Sequence, residues 1–234
     1  LGHAHPRVTA AIHEQVDRLI GPINAIGFAE PVSRLAVELA ATFPEPLDTV
    51  MFLTSGSEAI DGALTLARRV TGRPGIIAFR GGFHGRPLRS TRVTTANLTD
   101  RTGYGPCRPG VYVAPHPAAY PEFDGDEEAA SAACLSILDS LLGSVVAPST
   151  VGAILIEPVM GEGGYSPAPS SFLRGLRELC GRHGILPLAD EVQSGNGRTG
   201  QMVHLEHPGL APPTASRATS IPNRPPPAAT AHRP

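Results

Sequence analysis

The chain contains no lysine: all 19 of its basic residues are arginine. It also has no tryptophan, 5% aromatic residues and three cysteines in 234 positions. A guanidinium stays protonated and cannot form an imine with a carbonyl compound, so imine chemistry has no side-chain amine among these residues. Cys107, Cys134 and Cys180 are scattered without paired spacing. Neither a disulfide framework nor a cysteine metal cluster is expected from them, and a reducing compartment, the cytoplasm, is the expected location. Apolar runs such as Ala153–Ile156 and its flanks fall far short of the ~20 residues of a membrane-spanning helix, so no membrane partner is expected. The opening residues, Leu1 onward, do not form a charged-then-apolar leader. A net charge of −2, from 19 basic and 21 acidic residues with no basic cluster, argues against nucleic acid as a partner, because a phosphate backbone requires a cationic face.

What the chain does have is 41% hydrophobic content and 26 glycines, enough for one sizeable core or at most two small ones. Val8, Ile12, Val16 and Leu19 recur at helical spacing behind Pro6, and Val32, Leu35, Leu39 and Phe43 do so up to Pro44. Residues 1–45 therefore read as a helical amino-terminal part. From Thr49 the order becomes strand and helix in alternation. Strands are expected at Thr49–Leu53, Gly75–Phe79, Val111–Ala114, Val151–Ile156 and Ile185–Ala189, and helices at Ser57–Val70, Asp126–Leu142 and Pro169–His183. Such crossovers predict an α/β fold over 46–210, with a mainly parallel sheet and helices on both faces. Pro187, which removes a ladder donor, predicts an edge position or an irregular register for the last strand. After Leu210 the composition changes. Ala211–Pro234 holds seven prolines, three arginines, no acid and no glycine, and reads as an unstructured tail.

In open parallel sheets ligands bind beyond the carboxyl ends of the strands, and four such segments stand out. Thr54-Ser55-Gly56-Ser57-Glu58 opens a helix. Its free N–H groups suit an anion such as phosphate, but Ser55 and Glu58 also fit a capping box that needs no ligand. Gly81-Gly82-Phe83-His84-Gly85 sets an aromatic ring and an imidazole between glycines, as a surface for a planar ring or as an ordinary turn. Glu157 and Asp190 end strands, and a carboxylate buried there needs a cationic or donor partner. The pair also suits acid–base work or a divalent metal, although no third ligand stands at the right spacing. His3 and His5 precede a helix, and a loop role is expected for them rather than metal binding.

Five segments taken in order, Gly2-His3-Ala4-His5-Pro6, Thr54–Ala59, Gly81–Gly85, Ile156-Glu157-Pro158-Val159 with Gly161–Tyr165, and Ala189–Gln193 with Gly197-Arg198-Thr199-Gly200, resemble the class III aminotransferases. The resemblance covers about Leu1–Leu210. It implies the large domain of a fold type I pyridoxal-phosphate enzyme, truncated. It also implies transamination between an amine or amino acid and a 2-oxo acid, in a homodimer. Ser55, Gly56 and Ser57 would hold the cofactor phosphate. Phe83 and Val192 would lie against the two faces of the pyridine ring, Asp190 would bond the pyridinium nitrogen, and Gln193 would lie near the phenolic oxygen. His84 and Glu157 join the implied cofactor-binding set. Glu162 takes the position of a substrate gate that pairs with an arginine of a carboxyl-terminal domain.

The departures from the family pattern matter too. Ile60 stands where the family usually has Asn, and Asn196 where it has an aromatic residue, and either change is expected to loosen cofactor or dimer contacts. The Schiff-base lysine has no counterpart, and Ala211–Pro234 stands where the Pro-Asp strand and that lysine are expected. The sequence alone therefore supports an incomplete transaminase without activity as given. The rival reading is a non-catalytic remnant that keeps pyridoxal phosphate or a partner subunit. No metal is expected in either reading.

Overall fold

The computed structural model describes residues 2–21, 27–43, 47–104, 110–119, 123, 125–207, 217–220 and 228–231. The chain divides into two compact units, Leu1–Thr42 and Phe43–Pro234.

The first unit contains α1 (Pro6–Arg18) and α2 (Glu30–Ala40). Each carries proline in its first turn, where the missing N–H costs nothing and the fixed φ suits a helix. No residue of α1 is buried, and Ile12, Val16 and Leu19 are each about half exposed on its apolar face. The second helix ends at Ala40, before Pro44, which lies outside the described residues.

The second unit is built on a seven-stranded sheet. Its strands are β1 (Met51–Leu53), β2 (Gly75–Phe79), β3 (Val111–Ala114), β4 (Val151–Ile156), β7 (Leu186–Asp190), β8 (Arg217–Ser220) and β9 (Ala228–Ala231), and β5 (Val159–Met160) pairs with β6 (Ser166–Pro167) as a separate small hairpin. The order is β1-β9-β8-β7-β4-β2-β3, and β9 alone runs against its neighbours. Alternation along β2 and β4 sends side chains to two cores. Ile77, Phe79, Ile154 and Ile156 meet Leu138, Leu142, Phe172 and Leu176, from α5 (Glu127–Ser144) and α6 (Ser170–His183). Ile76, Ala78, Ala153 and Leu155 meet Ala59, Ile60, Ala63 and Leu64 of α3 (Gly56–Thr71) on the opposite face. Burial of each large aliphatic contributes ~1.5–3 kcal/mol, so strands buried on both faces need helices on both faces.

Local chemistry sets the helix ends. Ser55 caps α3 and Asp126 caps α5 through side-chain oxygens, while Gly72 and Gly184 close α3 and α6 in the left-handed conformation at φ +68° and +60°. A short helix, α4 (Leu88–Val93), was not expected from the sequence, because its six residues are too few to show a period.

Two expectations differ from the structure. β7 lies between β4 and β8, yet β8 pairs only with Ala189 and Asp190 among the described residues. Pro187 therefore sits in an interior strand, opposite Ile154 of β4 in a continuous register, rather than at an edge or an irregularity. Within the stretch expected to be an unstructured tail, residues 217–220 and 228–231 form β8 and β9. The open side of β7 offers unpaired backbone groups, and backbone pairing of a short Ala/Thr/Ser run needs no apolar core of its own. The remainder of 211–234 lies outside the described residues.

Candidate functional site

Because β1, β2, β4 and β7 all run the same way, the segments that follow them meet at one sheet edge. There Gly56, Ser57, Ile60, Phe83, His84, Gly85, Glu157, Asp190, Val192 and Gln193 line a single pocket. Eight of the residues expected from the sequence are thus brought together. Two are not: Ser55 caps α3, and Glu162 is exposed on the loop beyond β5 and does not line the pocket.

The first wall is the start of α3. Ser55 Oγ accepts the Glu58 N–H at 3.1 Å, as a cap should, but Glu58 does not return the bond to Ser55. Its carboxylate takes the N–H of Thr54 at 2.6 Å and the Thr54 hydroxyl instead, which holds its pKa below the ordinary carboxylate value. The cap leaves the first-turn N–H groups of Gly56 and Ser57 at the pocket without intrahelical acceptors. Gly56 has to be glycine here, since a Cβ would stand 2.8 Å from Val192 Cγ1. Gly85, at φ +112°, has its Cβ position filled by the Ser57 hydroxyl, which brings the 81–85 loop onto the helix start.

The floor is a buried acid–imidazole pair. Asp190 ends β7 at 4% exposure, and His84 is 3% exposed. His84 Nδ1 lies 2.7 Å from Asp190 Oδ2, and Asp190 Oδ1 accepts the Val192 N–H at 3.0 Å. Burial disfavours a charged imidazole, but the bond to Asp190 and the charges of Asp190 and Glu157 outweigh it, so the His84 pKa is raised. Glu157, 6% exposed, accepts the Phe83 N–H at 2.7 Å and the Gly161 N–H at 2.9 Å. Burial pushes its carboxyl up to about 7, against the pull of His84 and those two N–H groups, and Asp190 adds to the rise.

Of the departures, Ile60 lines the pocket at 1% exposure, so an apolar side chain occupies the place where an amide was expected. Asn196 adopts a left-handed φ of +56° and donates its N–H to the Met202 carbonyl. Among the described residues no cluster of three metal-ligating side chains occurs, and no helix is long and apolar enough to cross a membrane. Cys134 and Cys180 are buried and form no disulfide among the described residues, and Cys107 lies outside them. Thr94 and Thr95, which bond the 81–85 loop, were invisible to sequence reasoning, because nothing in a Val-Thr-Thr run marks a long-range contact.

The Aminotransferase class-III family matches residues 1–223. The 5-aminovalerate aminotransferase DavT of Pseudomonas putida is 37% identical over 221 residues, covering 94% of this chain and 51% of that protein. The 4-aminobutyrate aminotransferase GabT of Escherichia coli is 36% identical over 221 residues, covering 94% and 50%. An (S)-enantioselective omega-transaminase from Thermomicrobium roseum superposes with a TM-score of 0.88 at 26% identity, over 99% of this chain and 53% of that one. An amine transaminase from an uncultivated Pseudomonas species, solved in its PLP-bound form, gives 0.88 at 31% identity over 99% and 55%. The chain spans about half the length of the curated relatives it matches. Sequence and fold thus point to the same family, and the chain belongs to the class III aminotransferases.

Proposed function

We propose that these 234 residues carry the cofactor-binding half of a pyridoxal-phosphate-dependent transaminase, working between an amine or amino acid and a 2-oxo acid in a cytoplasmic homodimer. The observation that carries this reading is the buried Asp190–His84 pair, set across one pocket from Phe83 and the α3 start. The residues present fit the group. The N–H groups of Gly56 and Ser57 and the Ser57 hydroxyl suit the phosphate. Phe83 and Val192 supply apolar walls for a ring, and Gln193 supplies an amide for its phenolic oxygen. Each Asp190 oxygen accepts one bond and retains a lone pair, which suits a protonated ring nitrogen.

When bound, pyridoxal phosphate supplies an electron sink for the α-carbon of the substrate amine. The chain's own work is to keep that sink charged. Asp190, hydrogen-bonded to His84 and to the Val192 N–H, would hold a proton at the ring nitrogen, a charge-assisted bond worth ~1.5–3 kcal/mol. Ile60 and Val192, which line the same pocket, would shield that bond from water. Glu162, exposed beside the pocket, is proposed to gate substrates together with residues outside this sequence. Relatives named for 5-aminovalerate, 4-aminobutyrate and acetylornithine point to amines carried away from a carboxylate. The sequence contains no lysine, so the amine that bonds the cofactor covalently has to come from outside these residues; alone they bind without turning over.

Titration of the purified chain with pyridoxal phosphate tests this. Saturable binding is expected, with induced visible circular dichroism. Asp190→Asn should weaken it about tenfold, the loss of one charge-assisted bond. Borohydride should leave no lysine-linked cofactor in the mass spectrum. Absence of saturable binding would overturn the reading, and binding unaffected by Asp190→Asn would remove Asp190 from the site. The remnant reading differs only in a longer chain: it predicts no imine-forming lysine there either.

A further inference from the structure

We propose that Thr94 and Thr95 are positioning residues, whose hydroxyls hold the Gly82–Gly85 loop in the shape that presents Phe83 to the cofactor and His84 to Asp190. This rests on the reading of the pocket as the pyridoxal-phosphate site. The loop belongs to no helix or strand and is flanked by glycines at φ +85° and +112°, so its own sequence does not fix it. Its order comes from oxygens elsewhere. The His84 N–H donates to Thr94 Oγ1 at 3.0 Å, and that hydroxyl lies 2.9 Å from the Gly85 carbonyl and 3.0 Å from that of Ser90. The Gly82 N–H donates to Thr95 Oγ1 at 3.1 Å, and Thr95 Oγ1 donates to the Phe79 carbonyl at 2.7 Å. The N–H groups of Thr95 and Ala96 both reach the Gly82 carbonyl, at 2.7 and 3.0 Å. Glu157 takes the intervening Phe83 N–H. Three consecutive N–H groups therefore end on three side-chain oxygens. A hydroxyl is the smallest group that accepts from an N–H and donates to a carbonyl at once. Thr94 is fully buried, so a valine of the same shape would leave those partners without water as a substitute.

The variants are Thr94→Val and Thr95→Val, with Thr94→Ser as the conservative control. Two signals are read: the titration of the His84 imidazole by NMR in the ligand-free chain, and pyridoxal-phosphate affinity with its induced circular dichroism. Thr94→Val is expected to move the His84 titration down toward that of a free imidazole, as contact with Asp190 loosens. Both valine variants should bind the cofactor about tenfold more weakly, while Thr94→Ser stays within about twofold of the parent. Valine variants that leave both signals unchanged would overturn the proposal. So would a serine variant as impaired as valine, since the methyl group rather than the hydroxyl would then matter. If the parent chain binds no pyridoxal phosphate, the functional reading fails, yet the His84 titration still decides the positioning role. If the valine variants do not fold, amide exchange in the parent decides: slow exchange at Gly82, Phe83 and His84 is expected, and fast exchange there would overturn the clamp.

Discussion

His116 and Glu157 are buried titratable groups that tilt the pH dependence of stability in opposite directions. His116 is 1% exposed, sits edge-on to Phe79, and accepts the Ala118 N–H at Nδ1, so its Nε2 carries the proton and has no hydrogen-bond partner among the described residues. Burial lowers its pKa from 6.5 to about 4. Between those values the unfolded chain binds the extra proton, so stability falls on acidification, by ~3 kcal/mol in all. Glu157 behaves in the reverse way. Its pKa rises from 4.5 to about 7, the native chain keeps the proton, and stability falls as pH rises through that interval. Where the windows overlap, the two slopes oppose each other. His116→Phe should remove one of them and leave stability falling with pH between 5 and 6.5, by ~2 kcal/mol relative to the parent. Urea unfolding at the two pH values measures this, and a variant with the parent's pH profile would show that His116 is not held neutral.

At the scale of elements, the start of α3 serves structure and site at once. The Ser55 hydroxyl takes the Glu58 N–H, which frees the two preceding N–H groups for the pocket. Ser55→Ala should therefore cost ~1 kcal/mol in stability, the worth of a lost cap. Chemical denaturation checks it, and an unchanged midpoint would mean that tertiary packing alone holds the helix end. The same element shows why the sequence supported two rival readings there. Capping and anion binding use different N–H groups of one turn, so they are compatible. Glu58 turned to Thr54 rather than Ser55, a choice between adjacent donors that spacing does not specify.

Across the whole molecule, the amino-terminal unit leaves much apolar surface uncovered. Ile12, Val16 and Leu19 are half exposed along α1, with Ile20 at 82% and Phe28 at 98%. Surface of this kind marks a binding face or an aggregation liability in a chain that spans half the length of its relatives. The isolated chain should bind the hydrophobic dye ANS, and Ile12→Glu with Val16→Glu should lower the emission. Unchanged emission would place the dye elsewhere.

The sequence by itself determined the elements whose signal is local. Gly75–Phe79, Val111–Ala114 and Val151–Ile156 are strands within the bounds that β-branched runs and flanking turns predict. Gly72 and Gly184 stop helices because their left-handed φ suits glycine, and the parallel order followed from alternation. That the ends of β1, β2, β4 and β7 carry the pocket was likewise legible, since a shared strand direction forces their loops to one edge. The tertiary structure decided what depends on distant partners. Pro187 is placed in an interior strand opposite Ile154, and 217–220 and 228–231 become strands because β7 and β1 offer backbone groups for them to pair with. Asp190 receives His84 from 106 residues away, and Phe83 is held by Glu157 from 74 away. Thr94 acquires its role only once α4 turns it back on the loop. Hydrogen bonds between segments so far apart leave no period in a sequence, because they are set by where strands end in space rather than by neighbours along the chain.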